Sequence, residues 1–315
     1  MDEELKLKMR TILLELFGLD INNAVFKFST QNYAFILKDS PYMIRVSITP
    51  KKTRSEVISE LMWVDDLKQF KDTICEPNPS KAGRIIEEFT IDGILYRASM
   101  FKTARGKVQA VVDMTPMFFI CVGDLLGGIH MVSTNEQING IHYKRKSLKE
   151  SIDGLKKRNY AKLDSKLTNL IDIICDKVDA LPHDIGHYGI CHGDFHGQNF
   201  FVESNNIWVF DFDSCCYTHY LFDIACFLVS CLSGGFKHGK AIDAILDEDI
   251  MPYFKIGYEL NQHCDEHYYD NLKLFMYYRV VLIVLSLSEI KICGIYNRLE
   301  EARQRYVKIL MQYSE

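Results

Sequence analysis

The run Cys191–Asp213 constrains this chain more than any other part of its sequence. It contains two apolar stretches, Phe200–Val202 and Ile207–Phe210, separated by the residues Glu-Ser-Asn-Asn. Short apolar runs joined by an Asn-containing turn are typical of a β-hairpin, because asparagine tolerates a positive φ angle. The sequence therefore predicts an antiparallel hairpin with polar side chains near both of its ends.

Three polar side chains flank this hairpin: Asp194, Asn199 and Asp211. Asn199 precedes the first strand and Asp211 follows the second, so the hairpin would bring their side chains together. A carboxylate beside a carboxamide oxygen is a hard-oxygen site suited to Mg²⁺. Asp194 lies on the preceding His-Gly loop and can face the same point. A phosphoryl-transfer site needs this layout, with one group to orient the attacking hydroxyl and two to hold the metal on the phosphates.

The same residues resemble a known signature. His-Gly-Asp, a later Asn199, an apolar hairpin and a terminal Asp-Phe-Asp are similar to the motif of the aminoglycoside phosphotransferase and choline kinase superfamily, and Tyr220-Leu-Phe-Asp-Ile-Ala-Cys extends the match. The resemblance implies a two-lobed α+β fold like that of protein kinases. A small N-terminal lobe, residues 1–103 with a helix over 5–17, would carry an antiparallel sheet and one main helix. A larger, mostly helical lobe would cover 104–315. The alternative is an ordinary hairpin with turn and cap residues.

The resemblance also assigns roles. ATP or GTP would bind in the cleft between the lobes, and Asn199 and Asp211 would hold Mg²⁺ across its phosphates. Asp194 would orient the acceptor hydroxyl and take its proton. Asp213 stands where protein kinases have a glycine, and it would help to order the metal site. Asp223, near the start of the next helix, would cap that helix or brace the catalytic loop.

Three short apolar or alternating runs between Val25 and Ile48 predict the opening strands of the small lobe. In protein kinases the first turn is a glycine-rich loop over the phosphates, whereas here it is Ser29-Thr-Gln-Asn32 without glycine. This departure argues against a protein kinase more than against a small-molecule kinase. Ser29 and Asn32 could offer hydroxyl or backbone N–H groups to phosphate oxygens, and an ordinary polar turn is the alternative.

Arg45 lies in the third strand, where kinases carry a phosphate-binding lysine and choline kinases carry arginine. A guanidinium keeps its charge and can bind phosphate through two hydrogen bonds, so the role survives the exchange. A charged side chain in an apolar strand needs a partner. By resemblance that partner is Glu60 on the following helix, with Glu56 as second choice, and a solvated Glu60 is the alternative.

The segment Phe101–Gly106 would be the hinge, where backbone groups pair with the nucleotide base. Phe101 and Thr103 are its expected nucleotide contacts. The predicted lobe boundary lies near Thr103, after two strands joined by the turn Asp92-Gly93.

Composition excludes several classes of function. The net charge of −5 and the pI of about 6.1 give no overall positive field to attract nucleic acid or lipid. The basic segment 143–166 is expected to be a solvated face, with a nucleic-acid patch as the alternative. The N-terminus has no secretory pattern, and the longest strongly apolar run, Val280–Leu285, is too short for a membrane span. We therefore expect a cytoplasmic enzyme without nucleic-acid or membrane partners.

A zinc site is the minor alternative for the candidate ligands, whose spacing fits no common zinc pattern: Cys191, His192, His196, Cys215 and Cys216.

The acceptor is predicted only as a class. Aminoglycosides, choline-like or homoserine-like alcohols and sugars all occur among relatives of this family. The short stretch between Asp211 and the next helix leaves no room for a protein-binding activation segment, which favours a small molecule over protein serine or threonine. A catalytically silent nucleotide-binding module, a protein kinase and a helical scaffold remain alternatives. The C-terminal helices would line the acceptor pocket, and six of their acids are either acceptor contacts or surface charges: Asp247, Glu248, Asp249, Glu259, Asp265 and Glu266.

Overall fold

A computed structural model describes residues 3–28, 32–38, 40–48, 52–108, 114–233, 242, 250–289 and 296–313. Its chain divides into two compact units. The first comprises Met1–Gly106 together with Trp208–Asp213, and the second comprises Lys107–Ile207 and Ser214–Glu315. The short segment that contains Asp211 and Asp213 therefore belongs with the N-terminal part of the chain. The predicted lobe boundary near Thr103 stays a prediction.

The first unit is built on a six-stranded sheet. The strands are Val25–Phe28 (β1), Asn32–Ile36 (β2), Tyr42–Ile48 (β3), Pro77–Asn78 (β4), Glu87–Ile91 (β5) and Ile94–Lys102 (β6). They follow the order β1-β2-β3-β6-β4, and β5 also pairs with β6; all of these pairs are antiparallel. Asp92 and Gly93 both have positive φ, which is the geometry of the predicted tight turn between β5 and β6.

Two helices accompany this sheet, Glu3–Phe17 (α1) and Arg54–Leu67 (α2). Met9 and Leu13 of α1 are fully buried in one core with Phe35 and Ile44 of the sheet. The first turn of α2 is closed by a capping box, in which Thr53 and Glu56 exchange side-chain and backbone hydrogen bonds. Since Glu56 serves this cap, it was the wrong candidate for a partner of Arg45.

The second unit is mostly helical. Its helices are Pro116–Ile138 (α3), Leu148–Asn159 (α4), Ser165–Asp179 (α5), Leu221–Ser233 (α6), Met251–Tyr258 (α7), Leu272–Leu287 (α8) and Tyr296–Leu310 (α9). Two further strands, Tyr188–Cys191 (β7) and Cys216–His219 (β10), pair antiparallel with Cys191 opposite Cys216. This pairing holds both ends of the motif-bearing segment, because β7 leads into the His-Gly-Asp loop and β10 leads into α6.

Helix α3 is tightly packed within this unit. It packs closely against α7, and a Cβ atom added to Gly257 would lie 1.9 Å from the carbonyl oxygen of Ile120. A side chain at that position would force the two helices apart. Helix α3 is also the one described helix that is long and apolar enough to cross a membrane, and 61% of its most apolar window is buried inside the structure. Most of this apolar window is therefore buried in the core.

Candidate active site

The predicted hairpin is present. Phe200–Glu203 (β8) and Asn206–Val209 (β9) form a two-stranded sheet. Ser204 in the connecting turn has φ 58°, and Asp211 beyond β9 has φ 65°. A positive φ is uncommon for a residue other than glycine, and at Asp211 it precedes a short 3-10 turn over Phe212–Ser214. The Phe212 ring packs edge-on against Trp63 of α2 with the ring centres 5.5 Å apart, which anchors this segment.

Arg45 and Glu60 form the predicted ion pair. Arg45 Nη2 lies 2.6 Å from Glu60 Oε1, and the two residues are only 8% and 1% exposed. The guanidinium also stands 4.8 Å from the centre of the Phe101 ring. Burial lowers the pKa of Arg45, but the charges of Glu60 and the other nearby carboxylates outweigh burial and raise the pKa above its usual value. The strand therefore holds a fixed positive charge of the kind that binds phosphate.

Asn32 and Lys52 both bind Asp213, the residue that follows Phe212. Asn32 Nδ2 donates to Asp213 Oδ2 at 3.0 Å, and Ser47 Oγ donates to Asn32 Oδ1 at 2.7 Å. Lys52 Nζ lies 3.5 Å from Asp213 Oδ2 and donates to the backbone carbonyl of Asp213. These contacts hold Asp213 in place. Asp211, two residues earlier in the chain, is exposed. Ser29, the other residue predicted in the first turn, lies outside the described residues.

At the predicted hinge, one backbone donor is already used. The Thr103 N–H group donates to the Pro41 carbonyl at 2.7 Å. Thr103 Oγ1 is buried and has no hydrogen-bond partner within the described ranges. A nucleotide contact at Thr103 would therefore use its carbonyl or hydroxyl oxygen, and such a contact stays a prediction for both Phe101 and Thr103.

In the second unit, Asp223 holds the backbone of the His-Gly-Asp loop. Its two carboxylate oxygens accept hydrogen bonds from the N–H groups of His192 and Gly193, at 2.7 and 2.8 Å. Gly193 has φ 79°, and an added Cβ atom would lie 2.3 Å from the Ser214 carbonyl oxygen, so only glycine fits. Asp223 is fully buried. It thus performs the bracing role, one of the two alternatives that the sequence left open.

His130 completes this brace from α3. Its Nε2 lies 3.4 Å from Asp223 Oδ2, and its Nδ1 lies 2.8 Å from Tyr258 Oη. Burial lowers the pKa of His130 in spite of the neighbouring carboxylate. The imidazole is fully enclosed, so His130 packs in the interior and supports Asp223.

Asp194 follows Gly193 and is paired with a cation. Arg279 of α8 places Nη2 at 2.5 Å from Asp194 Oδ1, and His196 Nε2 lies 3.3 Å from Asp194 Oδ2. The Asp194 side chain is 30% exposed, so it is still accessible. Burial raises the pKa of Asp194, but Arg279 and His196 outweigh this effect and hold the pKa well below its usual range. The carboxylate is therefore ionised at any physiological pH.

Asn199 is oriented by the same loop. Its Nδ2 group donates to the Asp194 carbonyl at 2.9 Å and lies 3.3 Å from Asp194 Oδ2. No described residue donates a hydrogen bond to its Oδ1. Because the amide nitrogen is committed to Asp194, the carboxamide oxygen is available as a ligand, and oxygen is the atom that a hard cation prefers.

A cavity of about 540 Å³ adjoins this loop within the second unit, and Arg279 and His196 both line it. Much of the remaining wall is apolar and includes Phe200, Phe227 and Ile283. Pockets of this size bind drug-sized molecules. The two residues that contact the Asp194 carboxylate are thus also part of the cavity wall.

Two residues of the site were missed by sequence reasoning, Arg279 and Lys52. The signal for Arg279 was present, because it is the one charged residue in the apolar stretch from Leu274 to Leu287 and a buried charge requires a partner. Of the five candidate zinc ligands, Cys191 is the one that belongs to a cluster of potential ligand atoms among the described residues. Among the described residues, the one group of potential ligand atoms within 4.8 Å is His130, Cys191 and Asp223, and Asp223 is already bound to backbone N–H groups.

Comparison with known proteins decides the family. The sequence profile of the phosphotransferase enzyme family matches residues 14–250, which is more than half of the chain. The chain belongs to this family. The predicted resemblance is confirmed, and so is the prediction of a phosphotransferase that acts on an alcohol group of a small molecule.

Individual relatives agree with this assignment. The amicoumacin kinase of Bacillus subtilis (strain 168) is 24% identical over 272 residues, which cover 85% of this chain and 80% of that protein. The structure of the amicoumacin kinase hAmiN in complex with AMP-PNP, Ca²⁺ and Ami superimposes with a TM-score of 0.83 at 22% identity, and the match covers 98% of this chain and 93% of that chain.

More distant structures share the fold. A microcompartment-associated aminopropanol kinase gives a TM-score of 0.72 at 16% identity over 98% of this chain and 97% of that chain. The AMP-bound spectinomycin phosphotransferase APH(9)-Ia gives 0.61 at 14% identity over 98% and 99%. The predicted α+β kinase-like fold, with its antiparallel sheet in the N-terminal region, is therefore confirmed.

Proposed function

We propose that this phosphotransferase moves the γ-phosphate of ATP or GTP to a hydroxyl group of a small organic molecule and that it requires Mg²⁺. The observation that carries the proposal is the setting of Asp194, an accessible carboxylate on the His-Gly-Asp loop that Arg279 holds in place beside the Asn199 amide. Such a group can hold an acceptor hydroxyl in line for attack. The relatives found with AMP-PNP, AMP or Ca²⁺ support a nucleotide donor and a divalent metal.

The residues fit a divalent cation. Asn199 keeps its amide nitrogen on Asp194 and leaves its oxygen available, while Asp211 carries an exposed carboxylate. In the proposal these two oxygens hold Mg²⁺, although they belong to different units and their joint action stays a prediction. A bound Mg²⁺ would neutralise negative charge on the phosphate oxygens. Arg45, braced by Glu60, would bind a phosphate of the donor.

The proposed reaction needs few groups. The acceptor oxygen attacks the γ-phosphorus, an O–P bond forms, and the bond from that phosphorus to the β–γ bridging oxygen breaks to release the nucleoside diphosphate. The hydroxyl proton passes to an Asp194 carboxylate oxygen. A carboxylate with a low pKa is a weak base, so its main contribution is orientation, and it takes the proton late, when bond formation has made the hydroxyl acidic.

The test is a screen for nucleoside diphosphate release. Purified protein is incubated with MgATP or MgGTP and a panel of alcohols that includes amicoumacin, 1-amino-2-propanol, spectinomycin and choline. We expect one acceptor class to stimulate ADP or GDP release, EDTA to abolish it, and ³¹P NMR to show a phosphate monoester. Nucleotide binding without release for any alcohol would instead support the catalytically silent module.

A further inference from the structure

The described residues that line the cavity beside Asp194 include no carboxylate. The basic side chains among them are Arg279 and His196, and none of them is an aspartate or a glutamate. Three of the acids predicted as possible acceptor contacts, Glu259, Asp265 and Glu266, are exposed and do not line the cavity. Asp247, Glu248 and Asp249 lie outside the described residues.

This wall is unsuited to a polyamine. Each ammonium group that leaves water needs a carboxylate or several hydrogen-bond acceptors to replace its hydration. Here the Asp194 carboxylate is already neutralised by Arg279, and the Arg279 charge would repel a second cation in the same space. Two or more ammonium groups in the cavity would meet no carboxylate among the described lining residues, whose neutral side-chain oxygens are those of Gln198, Ser230 and Tyr306.

The apolar part of the wall defines what does fit. Aromatic and aliphatic side chains from separate elements contribute to it: Val108, Phe200, Phe227, Val229, Ile283 and Leu287. A cavity of about 540 Å³ holds a ring-sized apolar group together with a short polar arm. Burial of such a group is favourable because its apolar surface is removed from water.

Arg279 supplies the polar counterpart. A guanidinium has five N–H donors, and the structure shows one acceptor for them, Asp194 Oδ1. No other residue in the described ranges accepts a hydrogen bond from Arg279, and its Nε is buried without a partner. A donor group in a largely apolar wall is satisfied when the ligand offers an oxygen atom.

We propose that the acceptor is an alcohol with an apolar ring and a carbonyl or carboxylate oxygen close to the reacting hydroxyl, and that Arg279 selects it by binding that oxygen while it holds Asp194. The proposal rests on the function proposed above and narrows its substrate class. It excludes acceptors with several ammonium groups, such as kanamycin.

The test compares matched acceptors. In the presence of Mg²⁺ and AMP-PNP, isothermal titration measures the binding of 3-phenyllactamide, of 1-phenyl-2-propanol, which lacks the carbonyl, and of kanamycin. The MgATP reaction then gives kcat/KM for each compound that binds. We expect the amide to bind at least tenfold more tightly than 1-phenyl-2-propanol, and kanamycin to bind least.

Two variants assign the selection to Arg279. In Arg279→Met the preference for the amide over 1-phenyl-2-propanol should disappear, so that the ratio of their affinities is about one. Arg279→Lys should keep part of the preference, because lysine retains the charge without the planar donor array. Arg305→Met, on the exposed face of α9, is the matched control and should leave the preference unchanged.

The outcomes separate this proposal from the proposed function. Phosphorylation of kanamycin in preference to the amide, or an unchanged preference in Arg279→Met, would overturn the inference and leave phosphotransfer intact. Failure of the amide to bind at 5 mM would overturn it as well. If MgATP itself fails to bind, the function proposed above is wrong, and the choice of acceptor falls with it.

Discussion

At the residue scale, the site depends on the pairing of Asp194 with Arg279. The guanidinium lies on Asp194 Oδ1, and together with His196 it holds the pKa of the carboxylate below its usual range in spite of burial. A free carboxylate in the same place would titrate nearer to the pH at which enzymes work. Arg279 thus holds Asp194 in position, and its charge favours the ionised form of that carboxylate.

We predict that Arg279→Met moves the acid limb of the pH profile. Without the guanidinium, burial raises the pKa of Asp194, so activity should be lost at a pH higher by at least about one unit than in the wild type. The measurement is kcat/KM between pH 4 and 8, with Arg305→Met as control. An acid limb that does not move would show that Arg279 acts on the acceptor alone.

Sequence reasoning was strongest at this scale for residues close together in the chain. Asp194, Asn199 and Asp211 were proposed because a hairpin and a loop connect them within one short segment. The ion pair of Arg45 and Glu60 was predicted because a resemblance specifies their strand and helix, and it is present. Arg279 lies far along the chain on α8, and nothing in local spacing links it to Asp194. Only the three-dimensional packing of the second unit brings the two together.

At the scale of elements, β3 and α2 are joined by the buried pair of Arg45 and Glu60. Removing one member leaves an uncompensated charge in the interior, which typically costs about 3–5 kcal/mol. We predict a loss of this order in the free energy of unfolding for Glu60→Ala, measured by urea titration. Asp65→Ala, which removes an exposed pair with Lys68 from the same helix, should change it by less than about 1 kcal/mol.

A double replacement tests the same pair more sharply. Arg45→Met with Glu60→Met removes both charges, so this variant should be more stable than either single variant. If the double variant is instead as unstable as the sum of the two single losses, the pair is not coupled and the account of its burial is wrong.

Asp223 joins a second pair of elements, α6 and the His-Gly-Asp loop. We predict that Asp223→Ala lowers kcat at least tenfold while Asp194 itself is unchanged, because two backbone N–H groups lose their acceptor and the loop can shift. Steady-state kinetics on the folded variant provide the measurement. The control is Asp164→Ala, which removes the N-cap of α5. This variant should lose about 1 kcal/mol of stability but keep the wild-type kcat.

Element boundaries were predicted where local chemistry fixes them. Gly18 ends α1, the Asp92-Gly93 turn joins β5 to β6, and each has the positive φ angle that its position requires. The extent of α3, which runs from Pro116 to Ile138, is harder to predict from its apolar sequence. An apolar helix inside a core has no polar face to mark where it stops.

At the scale of the whole molecule, buried histidines link stability to pH. His219 is 7% exposed and lies 3.1 Å from the Pro182 carbonyl oxygen. Burial lowers the pKa of His219 to about 4. The unfolded chain, with an imidazole pKa of about 6.5, therefore binds more protons than the folded chain between pH 6.5 and pH 4. The stabilising effect is complete above pH 6.5 and is lost as the pH falls through this window.

We predict that His219→Gln makes the free energy of unfolding less sensitive to acid. Between pH 7 and pH 5, His219 should account for a loss of about 2 kcal/mol in the free energy of unfolding of the wild type. The total loss in the variant should be smaller than in the wild type by this amount. Urea unfolding at the two pH values provides the test, with the exposed His263→Gln as control. Equal losses in wild type and His219→Gln would mean that His219 is already solvated in the folded protein.

The central claim, that Asp194 orients an acceptor hydroxyl for phosphoryl transfer, is tested most directly by Asp194→Asn in a single-turnover assay. The acceptor is one identified by the diphosphate-release screen, and nucleotide affinity is measured in parallel with Mg²⁺. The account predicts that transfer slows by about 10²–10⁴-fold while nucleotide affinity is unchanged. Transfer at the wild-type rate in Asp194→Asn would contradict it.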